Sequence, residues 1–163
     1  MNGVSEARSP QAAPVPSPGR GRPRAFAPSG RAQLAGVGID VVDVPRLTAM
    51  FARTPALRDR LLTPSERGLS DASRAARVAA KEAVGKALGA PGDYSWHDVT
   101  VERTVDRRPY LVLSGAALEA AEQLGVAHLH LSLSHDGDIA TAIVVAERGA
   151  PAADDASIDR GER

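Results

Sequence analysis

The sequence of 163 residues contains no cysteine and few aromatic residues. Without cysteine the chain can have no disulfide framework, no thiolate zinc finger and no thiol nucleophile. Two Phe, two Tyr and one Trp are too few for nucleic-acid recognition by base stacking, which needs exposed aromatic platforms. The 20 basic and 20 acidic side chains cancel, and this neutrality argues against a general nucleic-acid binder.

Long apolar runs are also missing. No run reaches the roughly 20 residues that span a bilayer, so we do not expect an integral membrane protein, and no membrane partner is expected. Residues 1–33 lack the apolar stretch of a secretory signal, and we therefore expect a cytoplasmic protein.

The two ends of the chain lack apolar periodicity. Residues 1–33 hold six of the twelve prolines and five arginines against one acid, which predicts a disordered tail. An Arg-rich transit peptide is the alternative. Residues 148–163 are predicted to form a disordered acidic tail, which leaves one domain at 34–147. Because a domain of this size is only marginally stable alone, burial against other copies would help it.

The domain alternates short strands and helices in the order β-α-α-α-β-β-α-β-β. A β-branched run at 34–44 predicts a buried strand, and its two glycines predict a close approach of another backbone. The alanine-rich segment 73–88 predicts a helix. A further helix start is predicted at Thr63, with Glu66 completing a capping box. Hairpins beside helices predict an α+β fold with a mostly antiparallel sheet packed against helices on one face.

Asp40 is the first candidate for chemistry, because it lies in a strand made otherwise of Val, Ile and Gly. A carboxylate in such a run is costly to bury unless it meets a cation or a metal. The alternative is that strand alternation turns it to solvent, or that it caps a turn.

The predicted helix carries a second group of candidates. Glu82 and Lys86 lie four residues apart and therefore share a face, as Arg77 and Lys81 do. One interpretation is an ordinary solvated face. The other is that Glu82 is an oxygen ligand for a hard cation and that Lys86 neutralises phosphate oxygens. Magnesium suits this arrangement, since it takes one or two carboxylates together with substrate phosphates.

The third candidate group, Ser134 and His135, ends a predicted strand. His135 could donate to a phosphate or a ribose oxygen. The alternative is a turn in which Asp136 and Gly137 only satisfy backbone groups. Ser, His and Asp adjacent in sequence do not make a catalytic triad, which requires convergence in space.

Taken together, three segments resemble the holo-acyl-carrier-protein synthase family of 4′-phosphopantetheinyl transferases. They are GVGIDVVDVPRL (36–47), RVAAKEAVGKALG (77–89) and HLSLSHDGDIATAIVVAE (130–147). The intervening segment 108–127 matches the family's strand and helix. The resemblance covers 36–147 and implies the 4′-phosphopantetheinyl transferase fold.

The resemblance implies transfer of 4′-phosphopantetheine from coenzyme A to a serine of an apo acyl carrier protein, with release of adenosine 3′,5′-bisphosphate. It implies Mg²⁺ as cofactor and Asp40 and Glu82 as the metal ligands. These two carboxylates and Lys86 are the implied catalytic residues. Glu82, and after it Asp40, is the candidate general base.

The resemblance also implies binding residues. Lys81 and Lys86 would contact the phosphates of coenzyme A, Ser134 and His135 would approach its nucleotide end, and Arg46 would meet the acidic helix of the carrier protein. Members of this short type are usually homotrimers with sites shared between neighbours. The carrier could serve fatty acid synthesis, which is part of lipid metabolism. It could instead serve polyketide or peptide synthesis.

The chain departs from the family pattern at several positions. Val78 stands where the family usually has Phe, and Gly85 replaces a bulkier residue. The interval from Asp40 to Glu82, 42 residues, is short, with the missing stretch in the loop around 68–72.

Three other functions remain open from the residues. The chain could be a non-catalytic coenzyme A or nucleotide-binding module of the same fold, or a Mg²⁺-dependent hydrolase of small phosphoesters. The charged helix could also be purely structural, as a seam between copies in an oligomer.

Overall fold

The computed structural model describes residues 33–92 and 94–149. The predicted tails lie outside the described residues, except for position 33 and positions 148 and 149. Arg148 ends the last strand, and its guanidinium donates to the carbonyl oxygens of Leu34 and Leu124, each at 3.0 Å. The last strand therefore ends at Arg148, one residue beyond position 147.

Five strands and four helices form in the described part of the chain, in the predicted order. They are β1 (Leu34–Asp43), α1 (Val44–Arg53), α2 (Pro55–Leu61), α3 (Asp71–Ala87), β2 (Val99–Arg103), β3 (Pro109–Leu113), α4 (Gly115–Gln123), β4 (Val126–Asp136) and β5 (Ile139–Arg148), with a 3₁₀ turn at Trp96–Asp98. The strands pair antiparallel in the order β1-β5-β4, and β2-β3 is a separate hairpin. The predicted α+β class is confirmed.

Helix α3 packs across one face of the three-stranded sheet, as predicted. Its alanines are small enough to bring the helix backbone against β1. A Cβ added to Gly38 would lie 1.9 Å from the Ala83 carbonyl oxygen, and one added to Gly36 would lie 2.0 Å from that of Ala87. The predicted close approach is confirmed, and strand alternation turns Asp40 to the same face as these two glycines.

The segment after α2 contradicts the predicted helix start at Thr63. Residues 64–68 form hydrogen-bonded turns, with Glu66 N donating to Thr63 O at 2.9 Å. One half of the capping box is present, since Thr63 N donates to Glu66 Oε2 at 2.9 Å. The other half is absent, since the Thr63 hydroxyl lies 3.2 Å from the Ser65 hydroxyl instead. No helix follows, and the Glu66 carboxylate also turns into the core, where it bonds the backbone of β2 through Val101 N at 3.1 Å.

The opposite face of the sheet is apolar and exposed. Val37, Ile39 and Val41 of β1 are 50%, 57% and 56% exposed, and Ile143 of β5 lies beside them at 41%. Within residues 33–92 and 94–149, no helix is long and apolar enough to cross a membrane.

Candidate functional site

The predicted carboxylates meet at one pocket. A cavity of about 450 Å³ opens between β1, α1 and α3, and both Asp40 and Glu82 line it. Arg46 lies at the same cavity, so three of the predicted site residues are brought together here. The rest of the wall is mostly apolar, formed by Val41, Val42, Leu47, Met50, Leu61, Val78 and Trp96.

Asp40 meets a cation, as its place in an apolar strand predicts. Its side chain is 19% exposed, and its Oδ1 lies 2.8 Å from Lys86 Nζ. The ammonium also donates to the Ile39 carbonyl oxygen at 2.9 Å. Asp40 therefore neither points freely to solvent nor caps a turn, and Lys86 of α3 is fixed beside β1.

Glu82 keeps its carboxylate free for a ligand. Lys86 shares its helix face but bonds Asp40 instead, and among the described residues Glu82 forms no ion pair or side-chain hydrogen bond. The interpretation of this helix face as a simple Glu–Lys surface pair is therefore wrong.

The donor set fits a hard divalent cation. Two carboxylates at one cavity provide the oxygen ligands that Mg²⁺ takes when phosphates and water complete its shell. The part of the chain that the structure describes contains no group of three or more His, Asp or Glu side chains that could hold a metal alone.

Arg46 is positioned by the start of α1. Asp43 is the N-cap, and its Oδ1 accepts from Arg46 N at 2.8 Å, while Pro45 occupies the first turn. This cap was not predicted from the sequence, although Asp is a favoured N-cap residue and Pro is favoured in the first turn of a helix. Arg46 is exposed at the rim of the cavity, where a partner could reach it.

Lys81 is placed away from the cavity, which argues against its expected contact with phosphates. Its side chain is fully buried, and its Nζ lies 2.8 Å from Glu66 Oε2 and 2.9 Å from the Trp96 carbonyl oxygen. Burial lowers the pKa of Lys81 from its ordinary value, and the bond to Glu66 opposes that shift. Sequence reasoning missed the role of Glu66, because the partner lies 15 residues away.

Tyr94 occupies the space that Gly85 leaves open. A Cβ at Gly85 would lie 2.4 Å from Tyr94 Oη, and that hydroxyl donates to the Lys81 carbonyl oxygen at 2.9 Å. Burial, and next the charge of Glu82, raises the pKa of Tyr94, so the phenol remains a donor at neutral pH. Glycine inside a helix costs about 1 kcal/mol relative to alanine, and the close contact with Tyr94 accounts for its presence at position 85.

Ser134 and His135 are exposed at the end of β4, outside the cavity. In the sheet, Ser134 lies opposite Thr141 of β5. The Thr141 hydroxyl donates to the Asp40 carbonyl oxygen at 2.9 Å. These two residues therefore share the Asp40 end of the sheet without joining its pocket within one chain.

Comparisons with a family profile and with individual proteins point to the same family. The profile of the 4′-phosphopantetheinyl transferase superfamily matches residues 36–144. The holo-[acyl-carrier-protein] synthase of Beutenbergia cavernae is 58% identical over 115 residues, covering 71% of this chain and 99% of the relative.

Two solved structures of the same name are also similar. The holo-[acyl-carrier-protein] synthase of Helicobacter pylori, in complex with coenzyme A, is 31% identical with a TM-score of 0.61, covering 68% of this chain and 99% of that one. The Neisseria meningitidis protein is 30% identical with a TM-score of 0.64, covering 71% and 99%.

Proposed function

Because the chain belongs to the holo-acyl-carrier-protein synthase family of 4′-phosphopantetheinyl transferases, we propose that it transfers 4′-phosphopantetheine from coenzyme A to a serine of an apo acyl carrier protein. The observation that carries this proposal is the meeting of Asp40, Glu82 and Arg46 at one cavity, with Lys86 bonded to Asp40 at its edge. A diphosphate needs positive charge, which Lys86 and a cation held by the two carboxylates would provide. An acidic carrier protein needs a basic residue at the rim, which Arg46 would provide.

Asp40 and Glu82 are the residues that would hold Mg²⁺. When bound, the ion supplies positive charge that offsets the charge growing on the diphosphate in the transition state. Lys86 supplies a second positive charge from the protein itself. Its side chain is half exposed and its ammonium lies beside Asp40, so that a substrate phosphate bound there would meet this charge.

The reaction is a phosphoryl transfer. The carrier serine oxygen forms a bond to the phosphorus that bears pantetheine, and the bond from that phosphorus to the bridging oxygen breaks. Adenosine 3′,5′-bisphosphate leaves with the electron pair. The serine proton goes to a carboxylate, for which Glu82 is the first candidate and Asp40 the second. Positioning and electrostatics account for most of the acceleration in such reactions.

The nucleotide end of coenzyme A and the carrier would use exposed residues. Ser134 and His135 offer hydrogen bonds beyond the cavity, at the same end of the sheet. Arg46 is suited to an acidic surface, because it projects from the cavity rim with no acidic partner among the described residues.

A homotrimer accounts for the exposed apolar face of the sheet. Val37, Ile39 and Val41 would be covered by neighbouring copies, and a small domain would gain stability from that burial. Sites shared between copies would also bring the exposed Ser134 and His135 to a neighbour's cavity. We propose a cytoplasmic enzyme that serves a carrier of fatty acid, polyketide or peptide synthesis.

A carrier-loading assay tests the function. Apo carrier protein is incubated with the chain, coenzyme A and Mg²⁺, and intact mass is measured. We expect a mass gain of one phosphopantetheine, lost when the carrier serine is replaced by alanine. Coenzyme A binding without any gain would favour the non-catalytic module. Cleavage of coenzyme A without a carrier would favour the hydrolase.

A further inference from the structure

A buried ion pair lies directly behind the candidate site. Lys81 and Glu66 are 0% and 1% exposed at their side chains, and Lys81 Nζ lies 2.8 Å from Glu66 Oε2. Taking two charges out of water costs free energy that their attraction barely recovers, so such a pair is weak evidence of a stabilising role. Its value therefore depends on which parts of the molecule it joins.

The pair joins four segments of the chain. Glu66 accepts from Thr63 N at 2.9 Å and from Val101 N at 3.1 Å, which links the turn after α2 to β2. Lys81 extends from α3 and donates to the Trp96 carbonyl oxygen at 2.9 Å, which adds the 3₁₀ turn. The turn after α2, strand β2, helix α3 and the 3₁₀ turn thus share one buried, hydrogen-bonded centre.

This centre fixes the rotation of α3 about its axis. Lys81 directly precedes Glu82, so the two side chains leave the helix about 100° apart. A rotation of about 10° would move a carboxylate about 6 Å from the axis by about 1 Å. Misplacement of that size can cost about 100-fold in rate. On the other face Lys86 ties the helix to β1 through Asp40, and the helix backbone packs against Gly36 and Gly38.

The same ammonium fixes a second wall of the cavity. The Trp96 side chain lines the pocket with Glu82, and its backbone carbonyl is held by Lys81. Tyr94 bonds the Lys81 carbonyl oxygen from the neighbouring loop. One buried side chain is therefore bonded to the backbone of Trp96 and adjacent in α3 to Glu82, and these two residues line the same cavity.

We propose that Lys81 and Glu66 are positioning residues for the transfer reaction, holding Glu82 and Trp96 in register across the cavity from a place where neither can touch substrate. This proposal rests on the proposed function. It replaces the expectation that Lys81 binds phosphate.

The test compares Lys81→Met, Glu66→Gln and the double variant with a matched control, Ala121→Gly. Ala121 is buried in α4, away from the cavity, and glycine there weakens a helix without touching the pair. Each variant is assayed well below its melting temperature for kcat and for KM with coenzyme A. Trp96 is the only tryptophan, so quenching of its fluorescence by acrylamide reports the cavity wall without any turnover.

We expect each single variant to lower kcat by about 100-fold with KM changed less than about threefold, and to raise the accessibility of Trp96. The double variant removes both charges, so it should recover melting temperature but not kcat. Ala121→Gly should lower the melting temperature and leave kcat and Trp96 quenching as in the wild type.

Recovery of kcat together with stability in the double variant would show a purely structural pair and overturn the proposal. Wild-type kcat and quenching in folded Glu66→Gln would also overturn it, and this isosteric variant serves if Lys81→Met does not fold. If the wild type loads no carrier, the proposed function fails. Trp96 quenching does not depend on turnover, so quenching that is unchanged in the variants would separately reject the positioning role.

Discussion

Asp40 and Lys86 show how far single residues can be interpreted from sequence. An acid amid Val, Ile and Gly had to meet a cation or leave the core, and it meets Lys86 at 2.8 Å. Lys81 could not be interpreted this way. Its neighbours in sequence resemble those of Lys86, but its buried partner, Glu66, lies in a distant turn, and local spacing carries no sign of that contact.

Arg46→Glu tests the carrier-docking role at this scale. Reversing the charge at the cavity rim should raise KM for the carrier about tenfold or more, with kcat for bound carrier changed little, because rim charges mainly govern encounter with an oppositely charged partner. Steady-state kinetics at two ionic strengths measures this. Arg53→Glu, on the same helix but outside the cavity, is the control. An unchanged KM in the Arg46 variant would remove the assignment.

At the scale of elements, local pattern predicts most of the secondary structure. Helix α3 follows from its alanines and β1 from its β-branched residues, and the order of strands and helices matches. The segment from Thr63 forms no helix although the Glu66 carboxylate does accept from Thr63 N, because the same carboxylate is also held in the core by Val101 N and Lys81. A long-range contact overrides the local preference there.

The contact between Gly85 and Tyr94 gives a prediction for two elements. Gly85→Ala should gain about 1 kcal/mol of helix propensity. In the wild-type background the new Cβ would meet Tyr94 Oη at 2.4 Å and displace it from the Lys81 carbonyl oxygen. The lost hydrogen bond costs about 1 kcal/mol and offsets the gain. In the Tyr94→Phe background the gain should reappear.

Urea unfolding of the four proteins in this cycle measures the coupling. The two changes should be non-additive by about 1 kcal/mol. Additive free energies of unfolding would mean that the hydroxyl moves aside at no cost, and that Gly85 is not required by Tyr94.

On the scale of the whole molecule, the apolar face of β1 and β5 is left exposed by the residues that the structure describes, 33–92 and 94–149. Sequence alternation predicts that a half-buried sheet has a polar outer face, yet Ile39 and Val41 are more than half exposed there. The strand pattern of a single chain does not indicate what covers such a face. In the trimer implied by the family resemblance, neighbouring copies would cover it.

Ile39→Lys tests this assembly. A charge at the centre of the apolar face should dissociate the oligomer, and because the proposed sites are shared, loading activity should fall with it. Sedimentation velocity at micromolar concentration measures the mass. Val112→Lys changes a similarly exposed residue on the separate β2-β3 hairpin and should leave the mass unchanged. A wild-type protein that sediments as a monomer would contradict the proposal.

The most direct measurement for the whole account is divalent-cation binding at the cavity that Asp40 and Glu82 line. Mn²⁺ binding in the presence of coenzyme A, followed by electron paramagnetic resonance, is compared for wild type, Asp40→Asn, Glu82→Gln and the control Asp43→Asn, which keeps the cap of α1. Carrier loading with Mg²⁺ is measured on the same proteins. We predict that Asp40→Asn and Glu82→Gln each weaken Mn²⁺ more than about tenfold and abolish loading, with the fold intact, whereas Asp43→Asn does neither. Wild-type affinity and turnover in Glu82→Gln or Asp40→Asn would contradict the account.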